Sequence, residues 1–455
     1  MSLLDRTAEL AAGYLDAARE RHVGETASYE ETLAVLDSPL PEEGTDPEAV
    51  IEELATTVGP ATVANAGPRY FGFVVGGSLP AALASDWLVS AWDQTAFSRV
   101  SSPAGSAVDA VAERWVLEAL DLPRGAAVGF VTGATAGNFV GILAARHRLL
   151  ARAGWDVEAD GLAGSPPVRV LVGEEVHPSV LLALRMAGFG AERAERVAAD
   201  DQGAMRGDAL AAALARDAGP AIVCAQAGNV NTGALDPVGE IAAAAREHGD
   251  CWVHVDGAFG LWANAAPALG PLLPGVEGAD SWSADAHKWL NVPYDSAMAI
   301  VADPDAVRAA LGTSASYLPT EGGREPGELV PEMSRRARAV PVYAALRSLG
   351  RRGLAEMIER CCSHARRLAT AMGELAGAEV LNDVVLNQVL VRFGDDETTR
   401  AVVDAVQREG EAWVGGTVWR GRAAVRVSVS NWSTTATDVD RLAASLERAF
   451  AASRR

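Results

Sequence analysis

Cys251-Trp252-Val253-His254-Val255-Asp256-Gly257 is an apolar, β-branched run that stops on a carboxylate and a glycine. Comparable runs lie at 128–132, 168–172, 221–225 and 297–301, with Ala-rich helical stretches between them. Strands that alternate with helices signal βα units and a largely parallel sheet, so the expected fold class is α/β. In open sheets of that kind ligands bind at the carboxyl ends of the strands, which is where Asp256 would stand. Two readings of Asp256 are open at this level. Either it faces a cation, because burying it unpaired is costly, or it caps the turn begun by Gly257.

Around that central region the chain divides further. Residues 1–75 carry helical patterns broken by a Pro, Glu and Gly-rich loop near 38–47, and read as an N-terminal arm or small domain. The strand–helix alternation occupies a large domain, 76–315, followed by a loop at 316–334. The remainder, 335–455, has a helical stretch at 354–372, strand-like runs at 389–393 and 424–429 and a last helix after 437, a smaller α+β domain. A chain of 455 residues exceeds the size at which one core keeps growing, which agrees with several domains.

Composition narrows the partners. With 60 acidic against 39 basic residues the net charge is −21, which disfavours nucleic acid and anionic membranes and points to a small-molecule partner. Although 49% of the residues are hydrophobic, no apolar run reaches the roughly 18 to 20 that a membrane span needs. Asp5, Arg6 and Glu9 interrupt any signal-type apolar segment, and Cys224, Cys251, Cys361 and Cys362 form no metal-type spacing. The expected setting is the reducing cytoplasm, with no metal.

Of the 39 Lys and Arg residues only one, Lys288, is a lysine, in Ser283-Ala284-Asp285-Ala286-His287-Lys288-Trp289. A lysine amine can lose its proton and attack a carbonyl, whereas a guanidinium cannot form a Schiff base. Imine chemistry and a structural ion pair are the competing accounts of this residue. Three other features bear on the choice. Thr132-Gly133-Ala134-Thr135-Ala136-Gly137-Asn138 follows a strand-like run and opens a helix, so it is either an ordinary turn or a phosphate cradle with Thr135 adding a hydroxyl. His177 precedes Pro178, which keeps it extended at a loop, on the surface or stacked on a planar ligand. Asp256, facing a pyridinium N–H, would keep such a ring protonated as an electron sink. A Schiff-base lysine, a partner for a ring nitrogen, a phosphate loop and a stacking histidine together are the parts that pyridoxal 5'-phosphate chemistry requires.

The run Asp285-Ala286-His287-Lys288-Trp289-Leu290-Asn291-Val292-Pro293-Tyr294-Asp295-Ser296-Ala297-Met298 resembles the cofactor-lysine segment of the group II pyridoxal-phosphate-dependent amino-acid decarboxylases, the aromatic amino acid and glutamate decarboxylase family. The resemblance continues through Pro68-Arg69-Tyr70-Phe71-Gly72-Phe73, Ser102-Pro103-Ala104, the 132–138 loop, His177, Asp236-Pro237, His254-Val255-Asp256 and Arg335-Arg336-Ala337-Arg338. It implies the aspartate-aminotransferase-like fold (fold type I): a large domain with a mainly parallel sheet and a smaller C-terminal α+β domain. It further implies a homodimer with active sites at the subunit interface. By that resemblance Lys288 carries pyridoxal 5'-phosphate as an internal aldimine, Asp256 pairs with the pyridine nitrogen, His177 stacks on the ring, and Ala134 and Thr135 bind the phosphate with His287 nearby.

The reaction implied is decarboxylation of an L-amino acid to an amine and CO2. In the family a tyrosine on a loop just before the segment matching Ser334 to Arg338 protonates the intermediate, but the matching stretch here, 320–333, has no tyrosine, and Tyr317 matches a different position. His177 could donate instead, or the outcome could change to oxidative deamination with aldehyde formation or to carbon–carbon lyase chemistry. A protein that binds the cofactor without turnover is a further alternative. Asp285 stands where many members have Asn near the phosphate, an unexpected anion unless a donor such as His287 offsets it.

Overall fold

The protein is described from a computed structural model covering residues 2–313 and 323–454. Tyr317 and the opening of the expected loop 316–334 lie outside the described residues. The chain forms two compact units. One comprises residues 78–363 and 382–388, the other residues 1–77, 364–381 and 389–455.

The larger unit is built on seven strands: β1 (Ala127–Val131), β2 (Arg169–Gly173), β3 (Glu195–Val197), β4 (Ala221–Gln226), β5 (Cys251–Asp256), β6 (Ser281–Asp285) and β7 (Ala297–Val301). They lie in the order β1-β7-β6-β5-β4-β2-β3. Pairings from β6 through β5, β4 and β2 to β3 are parallel, and β7 runs antiparallel to both β6 and β1. The sheet is therefore mainly parallel, as its alternating pattern predicts. Every residue of β1, β4 and β7 is buried, which is why those strands read as continuous apolar runs.

Two strands escape the sequence pattern. β3 has only three residues, and β6, Ser-Trp-Ser-Ala-Asp, is fully buried yet polar at alternate positions. The helix Ala134–Arg152 packs over β5, β6 and β7. Close approach depends on glycine, since a Cβ on Gly141 would fall 2.5 Å from His254 Nδ1 and one on Gly137 2.9 Å from Ser283 Cβ. Ile142, Leu143 and Val140 of this helix join Val172, Ile222 and Ala299 of the sheet in one apolar core.

The smaller unit holds an antiparallel sheet, β8 (Ala378–Val380), β9 (Gln388–Phe393), β10 (Gly415–Trp419) and β11 (Arg422–Ser428), ordered β10-β11-β9-β8. The helix Asp396–Glu409 packs against β11 and against the last helix, Ala436–Ser453. Around Tyr70, which stacks on Trp413 at 4.9 Å, the early chain is fastened by Arg69: its buried guanidinium donates to the carbonyls of Arg19 and Arg21. The helical stretch expected at 354–372 belongs to a longer helix, Ala339–Glu374, interrupted at Gly350 with φ 60°. No described helix is long and apolar enough to cross a membrane, and no cluster of metal-ligating side chains occurs among the described residues.

Candidate active site

The site is built where strands of the larger unit end. β6 stops at Asp285, and the chain folds straight back: the Ala286 and His287 N–H groups both donate to Ser296 O, and the Asn291 N–H donates to Lys288 O. The Asp285 carbonyl is held by Trp262 Nε1 at 2.9 Å. This turn fixes Lys288 beside the end of β5, which itself stops at Asp256. Two helix N-termini close the space. Gly133 caps the helix Ala134–Arg152, and His177, extended at ψ 140° as a residue before proline must be, caps the helix Pro178–Met186.

These elements enclose a cavity of about 190 Å³. All six residues singled out from the sequence line it: Ala134, Thr135, His177, Asp256, His287 and Lys288. Gln226, Phe259 and Asp285 complete much of the wall.

Asp256 receives Asn138 Nδ2 at 3.2 Å and the Ala258 N–H at 3.2 Å, with Ser179 Oγ at 3.4 Å. Ser179 in turn ties to His177, its Oγ 2.7 Å and its N–H 3.2 Å from His177 Nδ1. Because Nδ1 accepts that backbone N–H, the ring proton of neutral His177 sits on Nε2. Behind Asp256, Asn138 Oδ1 meets Ser283 Oγ at 2.6 Å and His254 Nε2 at 2.9 Å. Burial pushes the His254 pKa down to about 4, with the Asp256 charge acting in the opposite sense.

The lysine side is differently made. Lys288 Nζ lies 3.0 Å from Asp285 Oδ2, His287 Nε2 is 3.6 Å from the same oxygen, and Asp285 Oδ1 takes the Ala134 N–H at 2.6 Å. Asp285 thus has a cation and a helix N-terminus to offset its charge, which answers the question its presence raises. His287 is displaced below its ordinary pKa, chiefly by burial, and its Nδ1 is buried without a hydrogen-bond partner among the described residues. Its ring stacks on Tyr294 at 4.2 Å, and burial pushes the Tyr294 hydroxyl up to about 12.

Asn138, Ser179 and His254 were not singled out as site residues from the sequence. Asn138 does stand in the glycine-rich loop motif, four residues into a helix otherwise rich in Ala and Gly, and a buried amide in such a helix needs partners.

A conserved-domain profile, "Pyridoxal-dependent decarboxylase conserved domain", matches residues 30–393. The chain belongs to the pyridoxal-dependent decarboxylase family. Tryptophan decarboxylase 1 of Oryza sativa subsp. japonica is 29% identical over 423 residues, covering 84% of this chain and 80% of the relative. Phenylacetaldehyde synthase of Arabidopsis thaliana is 25% identical over 422 residues, covering 87% and 84%. The crystal structure of Oryza sativa TDC with PLP and tryptamine superposes with a TM-score of 0.92 at 24% identity, over 99% of this chain and 97% of that one, which establishes the fold-type-I architecture. The relatives thus include one named as a decarboxylase and one named as an aldehyde synthase.

The cavity of this decarboxylase-family chain suits its cofactor. One end offers the N-terminus of the helix Ala134–Arg152, beside Thr135 and His287, and a helix N-terminus favours a phosphate. The other offers a carboxylate already oriented by donors from Asn138 and Ala258, and an amine stands on the wall between. These residues could hold pyridoxal phosphate by both of its charged ends.

Proposed function

We propose that this protein is a cytoplasmic, homodimeric enzyme that decarboxylates an L-amino acid to the amine and CO2. What supports the reading above all is the convergence in one cavity of an amine, an oriented carboxylate and an anion-binding helix end. Bound there, pyridoxal phosphate supplies the electron sink that lets the substrate carboxylate leave as CO2. Lys288 would hold it through its side-chain amine, the one group here that can form an imine. Asp256 would keep the ring nitrogen protonated, and His177 would stack on the ring. Thr135 would receive the phosphate at the helix N-terminus next to Ala134, whose own N–H is held by Asp285, with His287 nearby. His177 is also the candidate to hold the proton delivered to the product carbon, because 320–333 contains no tyrosine.

A second reading is favoured by that same missing tyrosine and by the aldehyde-synthase relative. On this reading the substrate is oxidatively deaminated, and aldehyde, ammonia and CO2 are released with consumption of oxygen.

The deciding experiment incubates the cofactor-loaded protein with a panel of L-amino acids, aromatic ones first because of the tryptophan decarboxylase relative, while amine, aldehyde, CO2 and oxygen are measured. Amine and CO2 in equal amounts without oxygen uptake support the first reading. Aldehyde with oxygen uptake replaces it with the second. If no amino acid shifts the visible absorption, both give way to a protein that binds the cofactor without turnover.

A further inference from the structure

Asp256 is served by a buried chain of groups whose direction can be deduced. A carboxylate has no proton to give, so Asn138 must turn its NH2 toward Asp256 Oδ2, 3.2 Å away. The Asn138 carbonyl oxygen then points back, and both groups facing it, Ser283 Oγ at 2.6 Å and His254 Nε2 at 2.9 Å, have to donate. His254 therefore carries its proton on Nε2. Its Nδ1 is left as an acceptor for the Ser281 hydroxyl at 2.9 Å, and Ser281 Oγ accepts from Trp252 Nε1, also at 2.9 Å. Trp252 has only a proton to give, so the polarity cannot reverse at that end. Asn138, His254, Ser281 and Ser283 are all 0% exposed, which leaves no water to substitute for a lost partner.

We infer that Asn138 and His254 are positioning residues: a one-way hydrogen-bond chain, anchored at Trp252, holds the Asp256 carboxylate as an acceptor aimed at the ring nitrogen of the cofactor. The chain rests on the proposed role of Asp256. The glycines at 137 and 141 belong to the same device, because only their missing side chains let the helix bring Asn138 against β5 and β6. Removing a link leaves a buried donor or acceptor unmatched and lets the carboxylate rotate away from its target.

Four variants of the holoenzyme test this: Asn138→Leu, His254→Leu, His254→Gln and Asp256→Asn. Cofactor affinity and the pH dependence of its visible absorption are read for each. Both leucine variants should lose about tenfold or more in affinity and displace the pH profile, the scale of one unmatched buried polar group. His254→Gln, whose amide can still donate to Asn138, should recover to within about threefold. Independently of any variant's folding, 15N spectra of the ring-labelled wild-type protein should show His254 as the neutral Nε2–H tautomer; the His254→Gln spectrum identifies its signal among the seven histidines. An Nδ1–H tautomer overturns the chain. So do leucine variants that keep wild-type affinity and profile while Asp256→Asn loses both, and in that case the role of Asp256 stands. If Asp256→Asn itself behaves as wild type, the role of Asp256 fails instead.

Discussion

The cavity has two unlike walls. Around Asp256 the carboxylate has donors from Asn138 and Ala258, and the histidine behind it is neutral and fully buried. Around Lys288 the charges are bare by comparison: one carboxylate shared by an amine and a helix end, and a His287 nitrogen with no partner among the described residues. If the proposed function holds, the difference separates a wall that must not change during turnover from one that must. On the proposed function a ring nitrogen would keep one partner throughout, whereas the Lys288 amine would give way to the substrate, and over-determined hydrogen bonds there would resist the exchange.

The largest effect should come from the exchanging wall. Lys288→Arg keeps a cation near Asp285 but cannot form an imine. We expect activity to fall by about a thousandfold or more, and borohydride, which fixes cofactor to the wild-type peptide containing Lys288, to leave the variant unlabelled on peptide mapping. Labelling elsewhere in the wild type would remove the functional distinction between the walls.

Next in size is the fixed wall. Asp256→Asn replaces a charged acceptor by an amide, and cofactor affinity should drop about a hundredfold, roughly 3 kcal/mol, with the protein still folded. Equilibrium dialysis against pyridoxal phosphate measures it. An Asn variant that binds as well as wild type would mean that this wall is structural only.

The third concerns pH. An unfolded histidine takes up a proton near 6.5, but folded His254 does so only near 4. Between those values the unfolded chain holds more protons, so the contribution of neutral His254 is complete above 6.5 and is lost as pH falls toward 4. His254→Gln should flatten the fall of denaturation midpoint across that window, by at most about 3 kcal/mol. An unaltered slope would show that His254 is not the buried neutral group of this wall.

Smallest is Gly141→Ala. Its new methyl would lie 2.5 Å from His254 Nδ1, and overpacking of about 1 to 3 kcal/mol should lower the thermal midpoint by a few degrees. Equal stability would indicate that the fixed wall yields more readily than its hydrogen bonds suggest.

Much of this was legible in the chain itself, for physical reasons. Fully or nearly fully buried strands write themselves as apolar runs, which located β1, β2, β4, β5 and β7, and the lone lysine pointed to the cavity that it lines. β6 was invisible because its serines face the Asn138 amide and the His254 ring rather than apolar side chains, so its composition follows the site and not the sheet. Asn138 and His254 went unassigned because the two stand 116 residues apart in sequence, and only folding brings them together. The pairing of Asp285 with Lys288 is local, three residues apart, yet its dependence on the Ala134 N–H is not.

That Lys288 is the chain's single lysine has a practical consequence. A protease specific for lysine can cut the denatured polypeptide at one bond only, between Lys288 and Trp289, giving two fragments of unequal length. Reductive capture of the cofactor on that amine would block the cut. The ratio of uncut chain to fragments on a gel then counts loaded active sites directly, without a chromophore, a substrate or a reference standard.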